Sequence, residues 1–567
     1  MGRGSCGFVS LVRLRSFVVA SDIERRMPLG ARAGSSPGGA SEDAHRRTRT
    51  KRNENVMNRL ESLAWVGALL VAATSCGGEG GGDDESTLTT PITITDTLSG
   101  TDSMSSDDES AGDETGEKLD LGGGDSGPVG GCGGSDLGCT DKIDLLFVID
   151  NSGTMAVEQA NLARNFPLLV QQLENLTDSN GEAVNPDVQI MVTNTDYGNP
   201  LCTAFEPMGY DPSEGAPITT PCTDRIQDFT GLGSNPDMVP TACTNTCVSG
   251  AAPEGDPFVA FNAMGDNIPD TITEADINGD GVPDSPVAQA LGCLGPQGIN
   301  GCGYESPLEN MLQALNPEAA WNNGERPFLR PDALLAIAII TDEADCSVQN
   351  YDIMTDATYQ EIEPGSGMAE SSSAICWNAG VSCQGPDANG VYSDCTSSET
   401  PNTLQPTTRY VNYLVNTLRK NQKKEVVMLG ILGVPEVTAH NMDAPFEPTE
   451  GGVEALEYRN WRDGEYTGIP GGGDILPDEF AAGVTAADKQ FDFGIGPGCT
   501  GGDAVNGFTG QAIPPVRIKE VCESLNIEND DGSTDVRCCI ESICDDDFSA
   551  AIQCLAGIIG EAIEVPG

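Results

Sequence analysis

Histidine is almost absent from this chain of 567 residues, which contains only His45 and His440. A serine triad needs a positioned imidazole and histidine-based zinc sites need several, so the sequence argues against both. After residue 140 it also lacks a Gly-x-Ser-x-Gly elbow and a phosphate-binding loop that ends in Gly-Lys-Ser or Gly-Lys-Thr. We therefore expect a protein that is not an enzyme.

Positive charge is also scarce, because 29 Lys and Arg residues face 87 Asp and Glu residues and give a formal net charge of −58. Such a field repels nucleic acids and anionic lipid surfaces, so we predict no nucleic-acid partner. The apolar stretch 63–74 is too short to span a bilayer as a helix. Contact with a membrane is expected only through a lipid anchor.

The N-terminal part of the chain resembles a basic extension followed by an export signal. Residues 1–56 are rich in arginine without a usable apolar period, and are predicted to be disordered or untranslated. From Met57, the order of polar, apolar and small residues before Cys76 resembles a bacterial lipoprotein signal over 57–76. The resemblance implies lipid attachment at Cys76. Because Gly77 follows, it also implies an outer membrane lipoprotein of a Gram-negative-type envelope, although an ordinary cleaved signal is the alternative.

An acidic linker and one large domain follow the signal. Residues 77–140 are rich in Gly, Ser, Thr and Asp and cannot bury a core, so they predict an extended tether. From residue 141 to 567 apolar strands alternate with amphipathic helices, and this alternation predicts an α/β fold with a doubly wound, mostly parallel sheet flanked by helices. The predicted strands are 143–149, 188–192, 333–342 and 426–432.

Insertions interrupt this pattern at about 196–303, 346–405 and 436–510. Apart from Cys6 and Cys76, the cysteines fall into local groups with even counts, which is expected for disulfides formed within each group of an exported protein. Zinc binding is the alternative, but the spacings do not give two Cys-x-x-Cys pairs. The connectivity within a group of six cysteines stays open.

The most informative motif ends the first predicted strand, where Asp150, Ser152 and Thr154 alternate directly after 143–149. Ligands of doubly wound sheets bind beyond the carboxyl ends of strands, so Asp342, which ends another predicted strand, would converge on the same point. Carboxylates and hydroxyls are oxygen ligands of the kind that Mg²⁺ takes. Alternatively, Ser152 and Thr154 cap the following helix and Asp150 binds its free amide groups.

This motif resembles the metal-ion-dependent adhesion site of von Willebrand factor A domains, whose usual pattern is Asp-x-Ser-x-Ser. The resemblance implies such a domain over 141–567. It assigns Mg²⁺ or Mn²⁺ to Asp150, Ser152, Thr154 and Asp342. The separate threonine of the family has no clear match, and Glu305 or Ser306 stands in its place; Glu343 stands where the family usually has glycine after the last aspartate.

The resemblance implies a binding module, namely an exported, lipid-anchored adhesion protein that holds a protein or glycan ligand through the divalent cation. A carboxylate donated by the ligand is one way to complete the metal's coordination shell. Two other functions stay open. One is a metal-free structural scaffold of the cell envelope, and the other is a metal-dependent hydrolase in which Asp150, Asp342 and Glu305 surround an ion that activates water.

A second, weaker motif lies inside the first insertion. Its oxygen-bearing residues are Asp276, Asn278, Asp280 and Asp284. Their alternate spacing with a turn glycine resembles a short calcium loop, although Val287 stands where a full EF-hand would place its last acid. A plain acidic turn without Ca²⁺ is the alternative.

Overall fold

The computed structural model describes residues 140–563, apart from residues 179–180, 182, 204–205, 207–208, 230–240, 280, 469–470 and 504–506. Several predictions lie outside this part of the chain: the 1–56 extension, the 57–76 signal with Cys76, nearly all of the 77–140 tether, and Asp280. Within the described residues, no helix is both long and apolar enough to serve as a membrane span.

A seven-stranded mixed sheet forms the centre of the fold. Its strands are β1 (Lys142–Ile149), β2 (Asp187–Asn194), β3 (Val259–Asn262), β4 (Gly265–Asp266), β5 (Leu334–Ile340), β6 (Val426–Leu432) and β7 (Cys538–Ser542). They are ordered β7-β6-β5-β1-β2-β3-β4; the first five in this order run parallel, and β3 and β4 are antiparallel additions at one edge. The predicted α/β class with a mostly parallel sheet is therefore confirmed.

Ten α-helices accompany the sheet in the described residues. They are α1 (Ala156–Glu174), α2 (Thr241–Thr244), α3 (Pro286–Leu294), α4 (Pro307–Ala314), α5 (Ala374–Gly380), α6 (Thr407–Val411), α7 (Pro477–Ala482), α8 (Ala486–Phe493), α9 (Val516–Glu523) and α10 (Ser549–Ala562). A π-helix over Asn412–Asn421 continues α6, and short 3₁₀ helices cover Cys222–Phe229, Tyr351–Thr355 and Gly452–Ala455.

The helices cover both faces of the sheet. One apolar core packs α1, α3 and α10 against one face, where the rings of Phe147 and Phe166 meet edge to face with their centroids 5.5 Å apart. A second core packs α4, α6 with its π-helix, and α9 against the other face, around the fully buried Tyr410. Every residue of β5 and β6 is buried, which explains why these strands are continuous apolar runs instead of alternating ones.

The predicted insertions carry small two-stranded sheets. Those within 346–405 and 436–510 are Glu361–Ile362 with Ala369–Glu370, Val381–Gln384 with Ser393–Ser397, Val437–His440 with Pro448–Gly451, and Cys499–Asp503 with Gly507–Ala512. Another pairs Ile527–Glu528 with Thr534–Asp535. The segment 196–303 supplies β3 and β4 to one edge of the central sheet and α3 to its core.

Eight disulfide bonds cross-link the described part of the chain. They join Cys202 to Cys302, Cys222 to Cys243, Cys247 to Cys293, Cys346 to Cys376, Cys383 to Cys395, Cys499 to Cys544, Cys522 to Cys538, and Cys539 to Cys554. Every bond lies within one of the local groups seen in the sequence, so the prediction of disulfides is confirmed.

Candidate functional site

The candidate site lies at the carboxyl ends of β1 and β5, which are neighbours in the sheet. Asp150 directly follows β1, and its backbone N–H donates to the carbonyl of Ile340, the last residue of β5, at 2.9 Å. The chain leaves β1 for the α1 face, whereas the connection from β5 to β6 passes through α6 on the opposite face. Ligands of doubly wound sheets bind at such a divergence of connections.

Hydrogen bonds join the predicted strand-end residues into one group. The Asp150 carboxylate is fully buried; it accepts from the backbone N–H of Ser152 at 2.7 Å and from the hydroxyl of Thr341. The hydroxyls of Ser152 and Thr154 lie 3.3 Å apart, and Asp342 directly follows Thr341, whose hydroxyl donates to Asp150. Two residues far apart in sequence, Asp150 and Asp342, therefore belong to the same local network.

Glu305 joins the site from the loop before α4. It is only 1% exposed, and its Oε2 accepts a hydrogen bond from the hydroxyl of Thr195, which follows β2. Its other oxygen, Oε1, is buried without a hydrogen-bond partner, and so is Oδ1 of Asp342, a residue that is 8% exposed. Buried carboxylate oxygens without a partner are rare in proteins and call for an explanation.

Negative charges crowd the site. Burial, followed by the charge of Asp150, raises the pKa of Asp342 and that of Glu305 well above the usual range. The same two causes raise the pKa of Glu343 to about 8, and burial raises that of Glu158 to about 7. A bound cation would offset the free-energy cost of ionising these acids, since an opposite charge favours the ionised carboxylates.

The donor set suits a hard cation in type, because it consists of carboxylate and hydroxyl oxygens. The two unpartnered oxygens of Asp342 and Glu305 fit this use. No three carboxylate oxygens of the site lie within 4.8 Å of one another in the described residues. Binding an ion would therefore require the carboxylates to approach one another.

The capping alternative accounts for little of this geometry. The residue before α1 is Met155, and no side chain makes a capping hydrogen bond there, so neither Ser152 nor Thr154 caps the helix. Only Asp150 serves the local backbone, through the N–H of Ser152. Ser152 is buried, whereas Gly153 and Thr154 are exposed, so the site is open to solvent on this side.

The insertion 436–510 and its end border the site from the other side. The backbone N–H of Ile513, just after the Cys499–Asp503 and Gly507–Ala512 hairpin, donates to the carbonyl of Asp342 at 2.7 Å. From α8, Lys489 and Asp492 act electrostatically on Glu343, in opposite senses. A predicted insertion thus contributes charged groups to the surroundings of the strand-end acids.

No sequence pattern predicted Thr195, Glu158 or Glu343 as residues of the site. Thr195 directly follows β2, so its position at a strand end was a signal of the same kind as Asp150. Glu158 lies in the first turn of α1, one helical turn after Thr154. Glu343 adjoins Asp342 in the sequence, but only the folded chain shows that its charge acts on both Asp342 and Glu305.

The second predicted motif forms a tight turn. Both oxygens of the Asp276 carboxylate accept backbone N–H groups, those of Gly279 at 2.7 Å and Gly281 at 3.0 Å. Asp284 accepts the N–H of Ile277 at 2.8 Å and is buried. Asn278 lies in the same turn. These contacts are those of a self-contained acidic turn, and they make calcium unnecessary for its shape.

A third cluster involves sulfur. The sulfur atoms of Cys222, Cys243 and Cys247 lie within 4.8 Å of one another, which is close enough to share a metal ion. Cys222 is bonded to Cys243, however, and Cys247 to Cys293. Metal binding needs the thiolate, so these oxidised cysteines do not form a metal site.

Comparisons with protein-family profiles, with curated proteins and with solved structures find no match to this chain.

Proposed function

We propose that residues 141–567 form a von Willebrand A-like domain that binds a divalent cation, Mg²⁺ or Mn²⁺, at the carboxyl ends of β1 and β5. In this proposal, the ion is held by Asp150, Ser152, Thr154, Asp342 and Glu305. Through the ion the domain holds a protein or glycan ligand. The exported protein is anchored in the outer membrane by the lipid on Cys76 and is not an enzyme.

One observation carries the proposal. Asp342 and Glu305 each present a buried oxygen without a hydrogen-bond partner, and the charge of the buried Asp150 acts on both carboxyls. Leaving charged oxygens buried and unpaired costs several kcal/mol, which a cation would offset. The ion would supply a positive charge and a coordination position for an oxygen of the ligand.

The strand order supports the family assignment. Without the two-residue β4, the order β3-β2-β1-β5-β6-β7 is 3-2-1-4-5-6 in chain order. This is the order of a doubly wound sheet whose connections diverge next to its first strand. Asp150 and Asp342 follow the two strands that flank this point.

Two further observations support display on an exported protein. The eight disulfides are typical of oxidising compartments outside the cytoplasm. β1 begins at Lys142 and ends just before Asp150, so the tether would join the domain at the end of the sheet opposite the site.

Calorimetric titration of the full-length chain with Mg²⁺ and Mn²⁺ tests the proposal. We expect binding in the wild-type protein and a loss of at least about tenfold in affinity for Asp150→Ala, because this removes a ligand at the centre of the network. Asp443→Ala, a change at an exposed acid in the loop after the Val437–His440 strand, is the control and should bind like wild type.

A metal-free scaffold of the cell envelope is the second candidate, favoured by the separation of the carboxylates in the described residues. It predicts no binding heat in either the wild-type protein or Asp150→Ala. Absence of heat with both ions, in a protein shown to be folded by circular dichroism, would overturn the metal-binding proposal and leave the scaffold.

A further inference from the structure

Helix α4 begins without a cap of its own, and another segment of the chain supplies one. Its N-cap residue, Ser306, makes no capping hydrogen bond with its side chain. Instead, the backbone N–H of Leu308 donates to Oδ1 of Asp345 at 3.2 Å, and that of Glu309 donates to the hydroxyl of Ser347 at 3.0 Å. The first N–H groups of a helix lack partners within the helix, so these two side chains satisfy two of them.

Two more hydrogen bonds join the same two segments. The backbone N–H of Cys346 donates to the carbonyl of Glu305 at 2.7 Å, and the hydroxyl of Ser306 donates to the carbonyl of Cys346 at 3.0 Å. We call these four hydrogen bonds the α4 clasp. The clasp holds the chain just before α4, which carries Glu305, against the chain just after β5, which carries Asp342.

A buried ion pair supports the clasp. Oδ2 of Asp345 accepts from Nε of Arg517 in α9 at 2.9 Å, and Oδ1 of the same carboxylate accepts from the hydroxyl of Ser347 at 2.6 Å. All three residues are at most 2% exposed. Arg517 lies shortly after Ile513, whose N–H donates to the carbonyl of Asp342. The chain after β5 is therefore held at both Asp342 and Asp345.

The clasp joins the segments of the two site acids that have unpartnered oxygens. These oxygens are Oε1 of Glu305 and Oδ1 of Asp342. Because the clasp and its supports hold both backbones, the approach of the carboxylates that an ion requires falls to rotation of their side chains. A backbone that is ordered before binding lowers the entropy cost of binding.

We propose, building on the cation site proposed above, that Asp345 and Ser347 are positioning residues of that site. By capping α4 they set the place of Glu305 relative to Asp342, and they do not contact the ion themselves. When the clasp is weakened, the Glu305 segment has to be ordered as the ion binds, and the affinity falls. The binding geometry thus depends on α4 and α9, which pack on the opposite face of the sheet from α1.

Calorimetric titration of the full-length chain with Mg²⁺ tests this role at Ser347. Ser347→Ala removes a hydroxyl that accepts one hydrogen bond of the clasp and donates another to Asp345. We expect a loss of about tenfold in affinity, as for other residues that orient metal ligands. Ser347→Thr keeps the hydroxyl and should bind within about threefold of wild type, which is a rescue by the conservative variant.

Ser542→Ala is the matched control. Ser542 is fully buried at the end of β7, where its hydroxyl donates to the carbonyl of Val434 at 2.7 Å and accepts from the N–H of Cys544 at 3.1 Å. This variant also loses one donated and one accepted hydrogen bond, but away from α4, so its affinity should equal that of wild type. All titrations are made well below the thermal midpoint of each variant, so that every protein is folded.

The outcomes separate this inference from the proposed function. If the folded wild-type chain gives no binding heat with Mg²⁺, the cation site itself is wrong. If wild type binds, the cation site stands, and the positioning role is overturned by either of two results. One is that Ser347→Ala binds as tightly as wild type, and the other is that Ser347→Thr or Ser542→Ala loses as much affinity as Ser347→Ala.

Discussion

At the scale of single residues, the acids of the strand-end site are held in an environment that opposes their ionisation. Burial raises the pKa of Glu343 to about 8 and that of Glu158 to about 7, with the charge of Asp150 acting in the same direction. In the unfolded chain both acids lose their protons near pH 4.5. The folded protein therefore holds protons that the unfolded chain has released.

This difference predicts how the stability of the metal-free protein depends on pH. Below about pH 4 these groups are protonated in both states; from there to about pH 8 the unfolded chain binds fewer protons, so the free energy of unfolding falls as the pH rises. In excess chelator, we expect a thermal midpoint lower by roughly 5 °C or more at pH 8 than at pH 5. Differential scanning fluorimetry measures it.

Two controls accompany this measurement. Saturating Mg²⁺ should raise the midpoint more at pH 8 than at pH 5, since the ion binds the deprotonated acids. Glu343→Gln should reduce the pH dependence in chelator, because it removes one of the acids whose pKa burial raises toward neutrality. A midpoint that rises from pH 5 to pH 8 in chelator would contradict the assigned direction of these pKa shifts.

At the scale of secondary-structure elements, a disulfide supports the loop that carries Glu305. Cys302 is bonded to Cys202 across 100 residues of sequence, and its backbone N–H donates to Asp196 at 3.1 Å. Asp196 lies just beyond β2, next to Thr195, the partner of Glu305. The disulfide therefore ties the Glu305 loop to the end of β2.

We predict that Cys202→Ala with Cys302→Ala lowers the affinity for Mg²⁺ by about 10- to 100-fold, because residues that orient metal ligands have effects of this size. Isothermal titration calorimetry measures the affinity. Cys383→Ala with Cys395→Ala removes a disulfide from the hairpin over Val381–Gln384 and Ser393–Ser397 and serves as the matched control. Equal losses in both pairs would mean that the effect comes from general destabilisation.

The elements themselves differ in how well the sequence predicted them. β1, β5 and β6 are long apolar runs, and α1 repeats leucine and phenylalanine at helical spacing, so their periodicity was sufficient. β7 was missed. It is only five residues long and includes Cys538 and Cys539, whose disulfides lead to α9 and α10 on opposite faces of the sheet. Adjacent side chains of a strand point to opposite faces of the sheet, so Cys538 and Cys539 can each bond to a different helix. The two cysteines also interrupt the apolar pattern that would have predicted the strand.

At the scale of the whole molecule, a buried ion cluster ties distant segments together at the end of the sheet opposite the site. Asp144 of β1 accepts from Arg330 Nε at 2.7 Å and from Lys424 Nζ at 3.1 Å. Lys424 also donates to the carbonyls of Arg330 and Ala333, each at 2.6 Å. The cluster thus joins β1 to the segments that enter β5 and β6.

Breaking this cluster should destabilise the entire domain. Asp144→Ala leaves Lys424 and Arg330 buried without their carboxylate, and we predict a loss of about 3–5 kcal/mol in the free energy of unfolding. Denaturant titration measures it. Asp332→Ala, which breaks the exposed pair with Lys142, should cost less than about 1 kcal/mol. A similar loss of unfolding free energy in both variants would contradict the claim that the buried pairs of Asp144 stabilise the domain more than the exposed pair of Asp332.

The sequence by itself determined the class of the fold, the grouping of the disulfides and the acids that end β1 and β5. These follow from short-range patterns: apolar periodicity, local cysteine counts and polar residues directly after strands. Only the tertiary structure decided that the hydroxyl of Thr195 bonds Glu305, that the hydroxyl of Thr341 bonds Asp150, and that β3, β4 and α3 belong to the core. Strand order and loop packing join residues more than a hundred positions apart, and no local pattern in one sequence records such pairings.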